Sequence, residues 1–408
     1  MDNPPHRTKS RPLAPFLFAR VSSILCYQML SVAVGWQVYA LTGSAFFLGL
    51  VGLAQFLPMF VLTLAVGMAA DRFDRRLIAR TCQLIEGAGA MVLALGSRGG
   101  WLDAGSILAI VFLIGAARAF EGPSMQSLMP ALVPKKLFPK AAAWSAAATE
   151  TAFIIGPAVG GFLYLAGPAV VYAAAGAMAW LAALSISTLR LERRLPKREP
   201  VAFRSVFAGI AFIRSRPVIL GAISLDMFAV LLGGATALLP IYAKNILRIG
   251  AGGLGLLRAA PSIGALAVSV YLTRKPPRRA VGRRMFSAVV IFGAGTIVFA
   301  VSRSFALSLA ALVILGGADI ISVVIRQSLV QMGTPDKMRG RVSAVNSMFI
   351  GTSNQLGEFE SGLTAAWFGT VPAVLLGGVG TIVVALLWMR LFPQLAAADT
   401  LDAVTIDA

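Results

Sequence analysis

The residues of this 408-residue chain best placed to do chemistry are the few ionisable ones that interrupt long apolar stretches. Arg118-Ala-Phe-Glu121-Gly122 is the densest such group, and a spacing of three puts Arg118 and Glu121 on one face of a helix. Glu86, Glu150, Asp226 and Asp319 lie near the middle of other apolar stretches, with Glu358 and Glu360 nearer an end. Asp319 and Arg326, seven apart, share a helix face. A charge near the centre of a bilayer costs about 2.5 to 3.5 kcal/mol even on the permissive insertion scale, so it faces a protein interior or a watery cavity and finds a partner. Carboxylates held in a low dielectric can take up and release protons near neutral pH, as a coupling site requires. Arg118 with Glu121 or Glu150 is the leading candidate for such a site. Each acid is equally able to serve as a structural partner of Arg118, Arg258 or Arg20, and both roles stay open.

Other chemistry is excluded. His6 is the only histidine, so neither a Ser-His-Asp triad nor a histidine-rich metal site can be assembled. No GxxxxGKS or GxxxxGKT loop is present for ATP hydrolysis. Cys26 and Cys82 sit inside apolar segments without a CxxC pair, which indicates neither a disulfide nor a metal. No enzyme activity, cofactor or metal is expected.

The elements that position these residues follow from composition. With 58% hydrophobic and only 13% charged residues, and a mean hydropathy of +0.81, the chain reads as an integral membrane protein. Apolar runs of about 20 residues recur, each long enough to cross a hydrocarbon core as a helix and too long for barrel strands. The expected spans are 14–41, 45–70, 77–95, 106–126, 140–166 and 169–189, then 218–242, 252–273, 285–302, 305–329, 341–367 and 371–392. The fold class is therefore all-α integral membrane, with twelve transmembrane helices, six on each side of a basic linker. Its expected parts are an N-terminal tail (1–13), a first bundle (14–189), a basic linker (190–216) in which 203–213 can form a surface amphipathic helix, a second bundle (217–393) and an unstructured tail (394–408) with Asp399, Asp402 and Asp407.

The net charge of +19 would suggest nucleic acid in a soluble protein, but here it reports topology, and no nucleic-acid partner is expected. Of the 36 Lys and Arg, 28 fall on the side of the N-terminal tail, four (Arg98, Lys244, Arg248, Arg303) on the other, and Arg20, Arg118, Arg258 and Arg326 within spans. Cytoplasmic loops retain positive charge, so both termini are expected in the cytoplasm.

The halves repeat. At an offset of 201, Gln126-Ser127-Leu128 falls on Gln327-Ser328-Leu329, Pro134 on Pro335, Gly156 on Gly357 and Gly161 on Gly362; at 203, Pro58 falls on Pro261. This is the mark of a diverged duplication.

Three segments add a resemblance. Gly67-Met-Ala-Ala-Asp71-Arg72-Phe-Asp74-Arg75-Arg76 resembles the signature loop of the major facilitator superfamily, except that Asp74 replaces a small residue. Arg118-Ala-Phe-Glu121-Gly122 is similar to the superfamily's second motif. Gly156-Pro157-Ala-Val-Gly160-Gly161 looks like the Gly-Pro motif of its exporting members. Across nearly its whole length the chain resembles the exporter branch that includes the enterobactin exporter and macrolide-efflux proteins. That resemblance implies twelve transmembrane helices in two pseudo-symmetric six-helix bundles that rock about a central cavity, and proton-driven export of a small organic molecule by a monomer in the bacterial inner membrane. It also implies that Gly67, Asp71, Arg72, Arg75 and Arg76 act as a conformational latch, and that Arg118 handles protons or substrate. A lysophospholipid flippase of the same superfamily is the nearest alternative; an importer or a membrane-embedded enzyme fits less well.

A reporter fused after Arg198 is expected to face the cytoplasm; reporter activity on the outer face would overturn the topology.

Overall fold

The computed structural model describes residues 13–134, 137–189, 203–277 and 279–400. The first half forms α1 (Leu13–Thr42), α2 (Ala45–Arg72), α3 (Arg75–Gly99), α4 (Ala104–Leu132), α5 (Phe138–Leu163) and α6 (Pro168–Ser187). After the short α7 (Phe203–Ser215) come α8 (Pro217–Leu232), the three-residue α9 (Leu239–Ile241), α10 (Gly250–Arg274), α11 (Val281–Val301), α12 (Phe305–Met332), α13 (Asp336–Phe368), α14 (Thr370–Leu391) and α15 (Pro393–Ala396). Turn chemistry sets several boundaries. Gly43 and Gly100 take the left-handed conformation that ends α1 and α3, and Asp103 caps α4 by accepting the Ser106 N–H at 2.8 Å. Hydrogen bonding from Ser106 also holds the exposed Asp103 carboxyl below its ordinary pKa.

Eleven segments among the described residues are long and apolar enough to cross a membrane. The expected span at 341–367 lies inside α13, which at 33 residues is long enough but carries Asn346, Asn354, Gln355, Glu358 and Glu360. Three of these polar groups are used inside the protein: Asn346 bonds to α12, Gln355 lines the central cavity, and Glu358 lies against Gly52 of α2. A helix that lines a polar interior cannot also be uniformly apolar.

Each bundle has its own buried core. In the first, Cys26, Met29 and Ala33 meet Leu93, Ile107 and Tyr172, and in the second Ile219 and Leu225 meet Phe286, Ile325 and Ala385. A further cluster belongs to both: Val32, Tyr39 and Leu48 of the first half pack with Leu238, Tyr242, Leu254 and Phe299 of the second. It lies at the end where α1 turns into α2, and so closes the halves there. Backbones approach closely across this contact. A Cβ on Gly255 of α10 would stand 2.5 Å from the Pro157 carbonyl oxygen of α5, and one on Gly362 of α13 would stand 2.5 Å from the Gly49 Cα of α2. Small residues of this kind let membrane helices pack without a hydrophobic driving force. The repeat offsets map Gly161 to Gly362 and Gly52 to Gly255, so the α5–α10 and α2–α13 contacts are two copies of one interface.

Three expectations need correction. The span drawn as one helix over 218–242 breaks after Leu232 into a 3-10 turn (Ala235–Leu238), α9 and a π turn (Tyr242–Ile246). Gly233-Gly234 permits the break, and Gly234 sits where a Cβ would be 2.5 Å from the Gly357 carbonyl oxygen. The tail from 394, expected to be unstructured, docks on the start of α11: the Gly282 N–H donates to Ala398 O at 2.9 Å and the Ala280 N–H to Asp399 Oδ1 at 2.8 Å. An acid at a helix start satisfies donors that the helix leaves free, which a reading of the tail alone misses. Asp402 and Asp407 lie outside the described residues. The amphipathic helix α7 does form, but it buries Ile213 in the second bundle's core and lays Gly209 against Arg341 and Val345 of α13. Linker residues 190–202 lie outside the described residues.

Gly161→Val and Gly362→Val should each lower the melting temperature of the purified protein by a few degrees, because the colliding atoms are backbone. Gly122→Val, where a Cβ meets nothing within 4 Å, should change it less.

Candidate functional site: a charged cluster beside the central cavity

Three helices of the first bundle build the main site. Helix α1 supplies Ser23 and Tyr27, α3 supplies Gln83 and Glu86 one turn apart, and α4 supplies Arg118 and Glu121. The Arg118 Nη1 lies 3.5 Å from Glu86 Oε2 and 3.7 Å from Glu121 Oε2. Its guanidinium also covers the Tyr27 ring, 3.9 Å from the centroid, a cation–π contact. Glu121 Oε1 accepts from Ser23 Oγ at 2.6 Å and Gln83 Nε2 at 2.9 Å, while Glu86 Oε1 is buried without a hydrogen-bond partner. Tyr27 in turn donates to Gln55 of α2 at 2.8 Å. Both carboxylates are buried, whereas the Arg118 side chain is 27% exposed and faces a cavity of about 260 Å³. Tyr27, Ser31, Gln55, Met59 and Arg118 line this cavity from the first bundle and Gln355 lines it from the second, so it lies between the halves.

The cluster holds one of the two partners offered for Arg118 and not the other. Glu121 is in it; Glu150 is half-buried on α5 and makes no ion pair among the described residues. Helix α5 packs on α1 and α10 rather than on α4, and its Thr149 accepts a 3.1 Å hydrogen bond from Arg20. Glu86, one of the mid-span acids, takes the second place beside the arginine.

The second bundle has a counterpart of different wiring. Arg326 Nη1 lies 3.3 Å from Asp226 Oδ2 of α8 and donates to Asn346 Oδ1 at 3.3 Å, so Arg326 pairs across helices rather than with Asp319 on its own face. Asp319 lines a cavity of about 10 Å³ with Asp226 and Ser322. At the 201-residue offset Asp319 stands where Arg118 stands, so the duplication has exchanged a cation for an anion.

Arg258, offered by the sequence only as a structural partner for an acid, bridges the halves. Arg258 of α10 donates to Ser31 Oγ of α1. The 203-residue offset aligns Arg258 with the cavity residue Gln55, a signal that would have drawn attention to both.

Of the loop between α2 and α3, Arg75 Nη1 donates to Ser127 O of α4 at 3.4 Å and Arg76 Nη1 to Leu189 O after α6. Asp74 caps α3 through the Arg76 N–H. These bonds stay within the first bundle. Gly67, Asp71 and Arg72 belong to the part of α2 whose side chains lie outside the described residues. In the Gly-Pro motif, Gly156 and Gly160 lie against Gln28 and Met29 of α1, whereas Pro157 and Gly161 face α10 of the other half.

Two helical bundles closed at one end around a cavity with a buried charge cluster define a multi-pass membrane transporter of the major facilitator fold. Residues 13–407 match the family described as transmembrane secretion effector, and the chain belongs to that branch of the superfamily, which comprises secondary transporters of small molecules and not enzymes. It is 27% identical over 393 residues to the enterobactin exporter EntS of Citrobacter koseri, covering 95% of this chain and 93% of that protein. With EntS of Shigella boydii the identity is 24% over 408 residues, covering 96% and 97%. Among solved structures, a bacterial homolog of the human lysosomal transporter Spinster, in an inward-facing and occupied conformation, superposes with a TM-score of 0.74 at 13% identity, over 93% of this chain and 95% of that one. A D-xylose–proton symporter gives 0.69 at 14% identity, over 95% and 97%.

Arg118→Met should destabilise the protein by about 3 to 5 kcal/mol, because it leaves Glu86 and Glu121 buried without their cation. Adding Glu86→Gln and Glu121→Gln should recover most of the folded yield, measured by size-exclusion chromatography.

Proposed function

We propose that the chain exports a small organic molecule, of siderophore or drug-like type, from the cytoplasm across the bacterial inner membrane in exchange for protons. The observation that carries this reading is the charge balance of the cluster beside the cavity: one guanidinium faces two buried carboxylates. With both acids ionised the group holds a net negative charge where the dielectric is low, and either a proton or a cationic substrate balances it. Occupation by one displaces the other, which is the exchange an antiporter needs. Arg118, Glu86 and Glu121 form the coupling site in this reading. Asp226 and Asp319 hold the corresponding place in the second bundle, and Glu150 on α5 is the acid the mechanism leaves as a bystander.

Direction rests on the enterobactin exporters that match nearly the whole chain, and on the Gly-Pro motif that forms part of the contact between bundles. The 28-to-4 charge asymmetry supports cytoplasmic termini, and with them the closed end is the outer one. Asp71, with Gly67, Arg72, Arg75 and Arg76, would then latch the cytoplasmic side in the opposite state. A monomer is sufficient, since the cavity is built within one chain.

The test is accumulation in inverted membrane vesicles under an imposed pH gradient, with a catecholate siderophore, a macrolide and a lysophospholipid as probes. Gradient-dependent accumulation of the siderophore or macrolide is expected in the wild type and lost in Glu86→Gln or Glu121→Gln, with Glu150→Gln unaffected. Accumulation that ignores the gradient would remove proton exchange, and transport of the lysophospholipid alone would make the chain a flippase.

A further inference from the structure

Of the four basic residues at the charge-poor end, two share one pocket. Lys244 and Arg248 lie in the connection from α9 to α10 and Arg303 lies in the α11–α12 turn, far apart in sequence, yet Arg248 and Arg303 line one open pocket of about 670 Å³ with Asn245, Ser302, Val301 and Val371. Positive charge is selected against in short translocated loops, so two arginines in one pocket at that end call for a physical use. Arg248 adds a second observation. It holds φ 55°, the left-handed region that an arginine adopts only under strain. It stands two residues before the start of α10, as Gly43, with φ 63°, stands two residues before α2. Where the first half uses a glycine for this turn, the second half keeps an arginine in it.

We propose that this pocket binds the phosphate of an anionic phospholipid headgroup in the leaflet at the closed end of the bundles. Two guanidinium forks match a phosphate's oxygens, and two such donors satisfy what one surface cation would not. The walls are amphipathic in the way a lipid requires. Val301 is 57% exposed beside the arginines, and Trp367 and Phe368, 69% and 61% exposed, end α13 just before Val371. Exposed aromatics at a span's end mark the headgroup level. The headgroup would sit against the contact between bundles, because Asn245 also donates to Tyr39 Oη of α1 at 2.5 Å, and Lys244 Nζ lies 5.4 Å from the Tyr39 ring. Its occupancy therefore bears on closure of that end. The inference uses the charge asymmetry of the two ends and holds whichever way substrate moves.

The experiment counts lipids retained by the purified full-length protein in native mass spectrometry, with phosphatidylglycerol, phosphatidylcholine or inorganic phosphate added, alongside its melting temperature. Wild type should retain a phosphatidylglycerol that Arg248→Gly and Arg303→Ala each bind about tenfold more weakly, and that Arg98→Ala, at the same end of the other bundle, still binds. Arg248→Gly should also raise the lipid-free melting temperature, since glycine accepts the backbone angle. Phosphatidylcholine held as tightly as phosphatidylglycerol, or equal retention by wild type and the Arg248→Gly/Arg303→Ala double variant, would overturn the site. Displacement of the lipid by inorganic phosphate at matching concentration would uphold the anion site and reassign its occupant to a free anion.

Discussion

A guanidinium held against two buried carboxylates is the interaction on which the rest of the first bundle depends. Charges inside a membrane protein persist only when paired, and here the pairing demands that three helices meet: α4 carries the cation, α3 and α4 the acids, and α1 the hydroxyl and ring that complete the shell. Those requirements fix the rotation of each helix about its axis. Arg118 is the charged member that also faces the cavity, so its neighbours hold it ready for a ligand while its charge remains tied to acids that a proton can neutralise. Positioning and chemistry are thus properties of the same contacts.

The contact between the bundles is of another kind. It is made of glycine backbones in van der Waals contact and an apolar cluster, with few polar ties: Arg258 to Ser31 and Asn245 to Tyr39. Such an interface holds by shape, and it can separate without stranding buried charges. Strong electrostatics stay inside each bundle, as in Arg118 with its acids and Arg326 with Asp226, while weak packing joins them. Rigid-body rocking follows from that division.

The sequence displayed much of this. Apolar runs gave the spans to within a few residues at most ends, and the near-identity of Gln126-Ser127-Leu128 and Gln327-Ser328-Leu329 announced two related halves. Arg118 and Glu121 were legible as neighbours because a helix fixes what stands three residues away. Glu86 beside Arg118, and Asp226 beside Arg326, were not, since nothing local says which face of α3 or α8 meets which face of another helix. Glu150 looked central by its depth in the span, yet depth says nothing of which helix α5 touches. The break after Leu232 was written in Gly233-Gly234, and hydropathy alone passed over it because glycine is common within membrane helices.

The central claim is that proton occupancy of the Arg118 cluster biases the position of the two bundles. The most direct measurement is the distance distribution between spin labels at Leu77 of α3 and Arg284 of α11, both exposed, recorded across pH in reconstituted protein. The account predicts populations that shift with pH in the wild type, and a Glu86→Gln/Glu121→Gln protein fixed at every pH in the distribution the wild type shows under acid conditions. A wild-type distribution unchanged by pH would contradict it.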